Sequence, residues 1–290
     1  MGDPSFPAML MKHIQTMSDL GAFAAEQRSK GKTIALVPTA GALHAGHEAL
    51  IRAAAERAGT VIVSIFVNPH QYGPHERISD RPQTPAEDLK HCKEWGAHAV
   101  FTPTASEVYP RGFSTYVSEE VLSKPLCGIS RPNHFRGVTT LMAKLFNTVN
   151  PDFVFFGQKT AQRAAIVRKM VHDLGFKVQV AVVPTVRETD GLALGVCNQA
   201  LTRNQRLDAL ALFQSLSQAK KMADAGVRSP DRVVAEATHI LGQHRRIRVI
   251  YVAVVDNDTL EPVREVKPGH CMAAIAAWVD EVRLIDNIPL

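Results

Sequence analysis

The feature of the sequence that most constrains its fold is a regular alternation of short, apolar, β-branched runs with longer helical stretches. It begins with a predicted strand at 33–37, a helix at about 43–57 and a strand at 60–67. Uninterrupted apolar strands are buried on both faces, and that burial requires a parallel sheet covered by helices. Further strands are predicted at 98–102, 153–156 and 178–183, and further helices at 85–95, 138–148 and 160–174. The pattern therefore predicts a doubly wound α/β domain with five parallel strands.

Residues 103–137 interrupt this alternation, because they are rich in proline and glycine and too long for a plain connection. They are predicted to form an excursion that reaches over a site. A second change follows Pro184, where two helical stretches precede two apolar strands. The helices are predicted at 204–224 and 231–243, and the strands at 247–255 and 273–279. A smaller α+β domain is therefore expected from about residue 187.

The composition excludes several classes of protein. Of the 290 residues, 46% are hydrophobic and 21% are charged, which is ordinary for a globular chain and unlike a disordered or fibrous one. No stretch approaches the ~20 apolar residues of a membrane span, so a membrane protein is not expected. The net charge of +5 suits anionic small molecules as well as nucleic acid, and it selects neither.

The cysteines indicate a reducing environment. All four lie far apart and none belongs to a Cys-x-x-Cys pair: Cys92, Cys127, Cys197 and Cys271. A chain of this size does not need disulfides to hold its core, so reduced thiols and a cytoplasmic location are expected. The first seven residues lack the basic and apolar regions of a secretory signal, and the fold prediction omits them.

The motif that carries chemistry follows the first predicted strand immediately. The run 38–47 reads Pro-Thr-Ala-Gly-Ala-Leu-His-Ala-Gly-His and continues into a helix with apolar periodicity. His44 and His47, three residues apart, are expected on one face of the helix start, beside unpaired backbone N–H groups and the positive end of the helix dipole. An anion is favoured there. Gly46 is expected to leave the surface open, so that a phosphate can approach the backbone.

Two structural interpretations compete with an anion site. The histidines could be surface residues that cap a helix, or they could be half of a zinc site. A zinc site would need further ligands, and no second close pair of His or Cys supplies them. His-x-Gly-His after the first strand of an α/β sheet is typical of nucleotidyl-transferring enzymes, whose imidazoles stabilise the charge that builds on the α-phosphate as pyrophosphate departs.

Four runs together resemble one family. They are 37–47, 64–73 (Ser-Ile-Phe-Val-Asn-Pro-His-Gln-Tyr-Gly), 126–138 (Leu-Cys-Gly-Ile-Ser-Arg-Pro-Asn-His-Phe-Arg-Gly-Val) and 184–194 (Pro-Thr-Val-Arg-Glu-Thr-Asp-Gly-Leu-Ala-Leu). In order and spacing they resemble the pantothenate synthetases, the pantoate–β-alanine ligases, over essentially the whole chain beyond the first ten or so residues. The resemblance implies a Rossmann-like nucleotide- and acid-binding domain at 1–186 and a C-terminal lid domain at 187–290, in a family that forms homodimers.

The resemblance also implies the chemistry. A carboxylate attacks the α-phosphate of Mg-ATP to give an acyl adenylate, and an amine then displaces AMP to form an amide. The implied partners are therefore a small carboxylic acid and an amine, with ATP and Mg²⁺ as cofactors, and neither nucleic acid nor a membrane.

Site residues are carried over from the family by position. Three are implied in catalysis: His47 as the proton donor, with His44 and Lys159 on the phosphates. The implied ATP-binding residues are Ala40, Gly41, His44, His47, Gly157, Lys159 and Val186. The implied substrate-binding residues are Asn68, Gln71 and Arg163, and Asp88 is implied near the acid pocket and the metal.

The sequence departs from the family at the clamp on the ATP phosphates. Where the family has Ser-Ser-Arg-Asn, this chain has Gly195, Val196, Cys197 and Asn198. Two hydroxyl donors and one cation are lost, and such bonds contribute ~0.5–1.5 kcal/mol when neutral and ~1.5–3 kcal/mol when charged. Weaker polyphosphate binding is therefore expected. Cys197 is interpreted as a small buried thiol, with a reactive nucleophile as the alternative.

A second departure concerns the acid pocket. Arg163 replaces a glutamine that reads the hydroxyl and carboxylate of pantoate, and Thr160 replaces an aspartate. A fixed guanidinium is expected to favour an acid with an additional anionic group. Ala40, Arg77 and the run 81–83 differ from the family as well, and for Ala40 neutral drift is the favoured interpretation.

Three hypotheses about function remain after these departures. The first is a ligase of the pantothenate synthetase type with altered substrates, pantothenate itself remaining possible. The second is a homologue that lost the use of ATP and forms or breaks an amide or ester by another route. The third is a binding protein without catalysis. The retained histidines and lysine argue against the third hypothesis.

Overall fold

The structure, a computed structural model, describes residues 11–73 and 82–290, so the substitutions at Arg77 and Arg81 lie outside the described residues. Six parallel strands form the larger sheet, in the order β1-β4-β3-β2-β5-β6. They are β1 (Lys12–Ile14), β2 (Ile34–Thr39), β3 (Thr60–Ile65), β4 (Ala99–Phe101), β5 (Phe153–Gly157) and β6 (Gln179–Val183). The predicted doubly wound parallel sheet is confirmed.

Burial explains why the strands could be located from the sequence. The side chains of β2 from Ile34 to Val37 have no exposed surface, and neither do Val61, Ile62 and Val63 of β3. Such strands need apolar residues at every position. The first strand, β1, was not predicted, because three residues with two exposed side chains carry no apolar run.

Helices connect the strands of this part of the chain. In chain order, those described before β6 are α1 (Met17–Ser29), α2 (Ala45–Arg57), α3 (Pro85–Glu94), α4 (Ala105–Val108), α5 (Cys127–Ser130), α6 (His134–Val149) and α7 (Ala161–Asp173). Helix α1 was not predicted, and α6 begins four residues before its predicted start at 138. The predicted excursion at 103–137 contains the two short helices α4 and α5 and the first residues of α6.

The topology identifies where a ligand is expected on the sheet. Strand β2 pairs with β3 on one side and with β5 on the other, so the chain changes winding direction between β2 and β5. In doubly wound sheets, ligands bind beyond the carboxyl ends of the strands at this switch point. The loop after Thr39 and the end of β5 at Gly157 lie there.

The C-terminal region has the predicted mixture of helices and an antiparallel sheet. It comprises α8 (Arg203–Asp224), α9 (Pro230–Gly242), β7 (Ile247–Asp256), β8 (Cys271–Val279) and β9 (Val282–Pro289). Apolar residues of α8, including Leu212 and Leu216, share a core with Ile275 of β8. The sequence did not predict β9, because Arg283, Asp286 and Asn287 interrupt its apolar pattern.

Backbone contacts divide the chain into two compact units. Of the described residues, the first comprises 11–73, 82–119, 133–157 and 166–183, and the second comprises 120–132, 158–165 and 184–290. The second unit thus takes in two segments that precede residue 186, while the proposed division at 186/187 stays a prediction. None of the described helices is long and apolar enough to cross a membrane.

Candidate active site

Residues 40–47, called the histidine loop from here on, are shaped by a buried carboxylate. The Asp88 oxygens accept hydrogen bonds from the backbone N–H groups of Ala42 (3.0 Å) and Leu43 (2.8 Å). Thr84 donates a third, at 3.0 Å. The loop turns tightly at Gly41, whose φ is +76°, and a Cβ there would lie 3.1 Å from Asp88 Oδ2. Glycine at 41 therefore allows the carboxylate to approach the loop.

The two histidines of the loop cap helix α2 reciprocally. The N–H of Gly46 donates to His44 Nδ1 at 3.1 Å, and the N–H of His44 donates to His47 Nδ1 at 3.1 Å. Their ring centroids are 4.1 Å apart, so the prediction that they share a face is confirmed. The helix-capping interpretation is correct as well, and it is compatible with an anion site because capping uses only Nδ1 of each ring.

These hydrogen bonds determine the protonation of the neutral rings. A ring nitrogen that accepts from a backbone N–H carries no hydrogen, so the hydrogen of each neutral imidazole lies on Nε2. Both histidines are thus Nε2–H donors at the positive end of the α2 dipole. Two neighbouring donors at a helix start are suited to a phosphate group whose charge increases during a reaction.

The structure corrects the expectation for Gly46. A Cβ at this position would lie 2.9 Å from Cε1 and 3.0 Å from Nδ1 of His44. The space above Gly46 is therefore filled by the imidazole of His44, and it is not open for a phosphate. The missing side chain allows the ring to reach the N–H group that it caps.

Gln71 and Asn68 lie in a short turn that follows β3. Asn68, which is buried, accepts from the N–H of His70 at 3.1 Å and donates through Nδ2 to the carbonyl of Gly137 at 2.9 Å. The carbonyl of Gln71 is 2.9 Å from Nδ1 of His134. The start of α6 therefore fixes the backbone of this turn. The predicted substrate contacts of the two side chains stay predictions.

In the second unit, Lys159 is held by two backbone carbonyls; we call Lys159 with residues 193–195 the lysine site. Its ammonium donates to the carbonyl oxygens of Ala193 at 3.1 Å and Leu194 at 2.8 Å. Burial lowers the pKa of Lys159 below its usual range, and the nearby carboxylate of Asp286 acts in the opposite direction. The lysine is thus a largely desolvated cation bound to neutral partners.

Two residues that the sequence analysis missed, Asp286 and Asn287, hold the lysine site in place. Asn287 donates through Nδ2 to the carbonyls of Gln158 (2.8 Å) and Lys159 (3.2 Å). The neighbouring Asp286 accepts two bonds from Arg187, at 2.6 and 3.0 Å. Polar residues inside the apolar run 282–289 were the available signal, since a strand buries such groups only when they are paired.

The clamp positions lie in a turn in which Cys197 is exposed and Gly195, Val196 and Asn198 are half-buried. The described residues 196–200 make a short 3-10 turn without a buried side chain, and the interpretation of Cys197 as a buried thiol is wrong because its side chain is exposed. The other three cysteines are buried, and burial raises the pKa of the Cys92 thiol to about 12. Arg163 lies half-buried on α7, and Val186 is half-buried as well.

A protein-held metal ion fits the described residues poorly. Asp88, the predicted metal ligand, is 2% exposed and its oxygens already accept three hydrogen bonds. The described residues hold no group of three His, Cys, Asp or Glu side chains placed to bind a metal. Mg²⁺ is commonly bound through one or two carboxylates and the phosphates of a substrate. Any Mg²⁺ would therefore enter as part of Mg-ATP, and the role of Asp88 as its ligand stays a prediction.

The predicted site residues fall into two groups. The first unit holds Ala40, Gly41, His44, His47, Asn68, Gln71, Asp88 and Gly157, and the second holds Lys159, Arg163 and Val186. Within the first unit, the structure brings the histidines and Asp88 together around one loop. Within the second, it brings Lys159 to the clamp positions.

Paired histidines at a helix start, on the switch-point loop of a parallel sheet, form the arrangement that the sequence analysis associated with nucleotidyl-transferring enzymes. Comparison with known proteins narrows this class, because residues 12–289 match the family described as Pantoate-beta-alanine ligase. The chain belongs to the pantoate–β-alanine ligase family. The family resemblance stated from the sequence motifs is confirmed.

Relatives and solved structures agree with this assignment. Pantothenate synthetase of Thermotoga neapolitana is 45% identical over 277 residues, which cover 96% of this chain and 99% of the relative. The enzyme of that name from Moorella thermoacetica is 44% identical over 280 residues, with 97% and 99% covered.

Among solved structures, the pantothenate synthetase of Thermus thermophilus matches with a TM-score of 0.90 at 36% identity, covering 96% of this chain and 99% of that one. The pantoate-beta-alanine ligase of Francisella tularensis, in complex with beta-gamma ATP and beta-alanine, matches with a TM-score of 0.78 at 25% identity. These matches cover 97% of this chain and 98% of the Francisella chain.

Proposed function

We propose that this protein joins a carboxylic acid to an amine in an ATP-dependent reaction that passes through an acyl adenylate. The observation that carries the proposal is the pair of Nε2–H donors, His44 and His47, at the start of α2. Membership of the family supports it, and the description of the family names pantoate and beta-alanine as the acid and the amine.

In the first proposed step, a carboxylate oxygen attacks the α-phosphorus of ATP and the bond to pyrophosphate breaks. Negative charge moves to the departing oxygen and to the oxygens of the α-phosphate. The role of His44 and His47 is to donate hydrogen bonds from Nε2–H to those oxygens. His47, implied as the proton donor by the family resemblance, is proposed to share this proton in a hydrogen bond without transferring it, because its Nδ1 accepts a backbone hydrogen bond and the neutral ring has no second proton. Donors fixed before the reaction stabilise such charge without reorganisation.

In the second step, the amine nitrogen attacks the acyl carbon, AMP leaves with the bonding electrons, and the nitrogen loses a proton. Gln71 is proposed to contact both the acid and the amine, and Asn68 is proposed to contact the acid. A fixed turn favours this role, because groups held in place lower the entropic cost of bringing two substrates together.

We propose further that the protein binds ATP weakly for this family. Gly195, Val196 and Cys197 offer neither the hydroxyl groups nor the guanidinium of the clamp that the sequence resemblance implies. Lys159 is proposed as a phosphate contact, and Ala40, Gly41, Gly157 and Val186 are proposed to contact ATP as well.

The acid is proposed to differ from pantoate by carrying an additional anionic group. Arg163 supports this, because a guanidinium pairs bidentately with carboxylate or phosphate but lacks the carbonyl acceptor that a glutamine offers to a hydroxyl. Competition between mono- and dianionic acids tests it. We expect Arg163→Gln to shift preference toward pantoate, and an unchanged preference would contradict the proposal.

The decisive experiment is ATP–pyrophosphate exchange with the wild-type protein across a panel of carboxylic acids. Exchange that depends on an acid supports the ligase. Amide formation without exchange would favour the homologue that no longer uses ATP, and neither activity would favour the binding protein. We propose a homodimer on the family resemblance, and sedimentation of the full chain tests it.

A further inference from the structure

The position of the Lys159 ammonium depends on the absence of a side chain at residue 195. An ideal Cβ built on Gly195 would lie 2.5 Å from Lys159 Nζ, closer than Cβ atoms are found to such neighbours. The next atoms, Lys159 Cε and Asn198 Oδ1, would be 3.7 and 3.8 Å away, which is ordinary contact. A side chain at 195 would therefore displace the ammonium and little else.

The backbone itself does not require glycine here. Gly195 has φ −173° and ψ 148°, an extended conformation that any residue adopts. Serine, which the resemblance places at this position in the family, would need no change of the main chain. The only described atom that a Cβ at this position would approach closer than 3.7 Å is Nζ of Lys159, which would have to move.

We propose that Gly195 is a positioning residue that allows the Lys159 ammonium to bind the carbonyl oxygens of Ala193 and Leu194, and that this bound state competes with polyphosphate for the same ammonium. The first half stands on the geometry of the second unit alone. The second half rests on the proposed function, in which Lys159 contacts the phosphates of ATP.

Competition follows from the number of hydrogen bonds that an ammonium can donate. Lys159 has three N–H groups, and the two carbonyls take two of them. To bind a polyphosphate fully, the ammonium has to leave at least one carbonyl. The apparent affinity is then reduced by the fraction of molecules in which the ammonium is available. The lowered pKa of Lys159 agrees with a cation held in a desolvated place.

The test uses Gly195→Ala, which adds a methyl group and no hydrogen-bonding group. The matched control is Gly242→Ala at the end of α9, where a Cβ would meet nothing within 4 Å. Lys159 is labelled with acetic anhydride over a range of pH and quantified by peptide mass spectrometry. We expect its limiting labelling rate at high pH to rise at least threefold in Gly195→Ala and to stay unchanged in Gly242→Ala.

The second measurement is the Kd of inorganic tripolyphosphate by calorimetry with the full chain. We expect binding to tighten about threefold to tenfold in Gly195→Ala and not in Gly242→Ala. The gain should disappear when Gly195→Ala is made together with Lys159→Met, because the ammonium that is proposed to bind tripolyphosphate is then gone. Gly195→Ser serves as the second variant if Gly195→Ala does not fold.

Each result decides one half of the proposal. An unchanged limiting rate in a folded variant would overturn the positioning role of Gly195. A raised rate with unchanged or weaker tripolyphosphate binding would overturn the competition. Failure of the proposed function gives a different result: no ATP–pyrophosphate exchange with any acid in any variant, while the labelling and tripolyphosphate measurements still respond to residue 195.

Discussion

The histidine loop and the lysine site are both proposed to contact the phosphates of ATP, yet they differ in what holds them. In the histidine loop, a buried carboxylate binds two backbone N–H groups, and each imidazole accepts from a further one. In the lysine site, a cation binds backbone carbonyls, and the neighbouring residues 195–197 carry neither a hydroxyl group nor a guanidinium. The histidine loop therefore offers the Nε2–H groups of its histidines as donors. In the lysine site, the Lys159 ammonium already donates to backbone carbonyls of the site itself.

The difference teaches where divergence is tolerated. A change in the histidine loop would leave buried N–H groups without acceptors, which costs ~1–3 kcal/mol for each group. The clamp positions lie in a turn without a buried side chain, so replacing them should cost the fold little.

The largest effect is expected from His47→Ala. Removing a hydrogen-bond donor to a developing charge normally lowers turnover ~10²-fold or more. His172→Ala, in which the histidine is exposed on α7, is the control and should leave turnover unchanged. Steady-state kinetics measure both, and a loss of less than about threefold in His47→Ala would refute its catalytic role.

Asp88→Asn tests whether the carboxylate holds the histidine loop. An amide has one oxygen, so Ala42 or Leu43 would lose its acceptor, and we expect the free energy of unfolding to fall by ~1–3 kcal/mol. The control is Asp173→Asn, an exposed residue paired with Lys169, which should leave the free energy of unfolding almost unchanged. Urea unfolding measures both, and equal effects would show that Asp88 does not support the loop.

Replacing Gly195, Val196 and Cys197 by Ser, Ser and Arg would introduce the phosphate clamp that the sequence resemblance implies for the family. Two hydroxyls and a guanidinium would be added, and the new side chain at 195 would displace Lys159 from its carbonyls. We expect Mg-ATP to bind about tenfold more tightly, or ~1.4 kcal/mol. Calorimetry decides; equally tight binding by the unmodified protein would mean that another cation replaces the clamp.

The smallest effect is expected on the free energy of unfolding at acid pH, through the carboxylate of Glu188. The hydrogen bond from Arg206 lowers the pKa of Glu188 below its usual value, so the bond stabilises the fold above about pH 4.5 and is lost as the pH falls through the lowered pKa. Both side chains are about one-third exposed, which limits the effect to less than ~1 kcal/mol.

Arg206→Gln should therefore destabilise the protein slightly near pH 7 and not near pH 3. Urea unfolding at the two pH values tests this, and the opposite order would exclude the assigned cause. The control for the measurement is Lys220→Gln. Lys220 forms an exposed ion pair with Asp224 on the same helix, and no described interaction joins either residue to Glu188.

The sequence determined the parts of this protein in which a local pattern reports directly on burial or on a helix end. Fully buried strands need unbroken apolar runs, so β2 and β3 could be located, and two histidines three apart must share a face at the start of α2. The family could also be recognised from the sequence, because each of its motifs is a contiguous run of residues.

Only the tertiary structure decided which partners those residues take. The roles of Asp88 and Asn287 arise from contacts between segments 45 and 129 residues apart, which no local pattern encodes. Strand β9 escaped prediction because its polar residues are buried in pairs, and pairing is invisible in one segment alone. The proposed role of Gly195 likewise could not be inferred from the sequence, because it depends on the contact of residue 195 with the ammonium of Lys159.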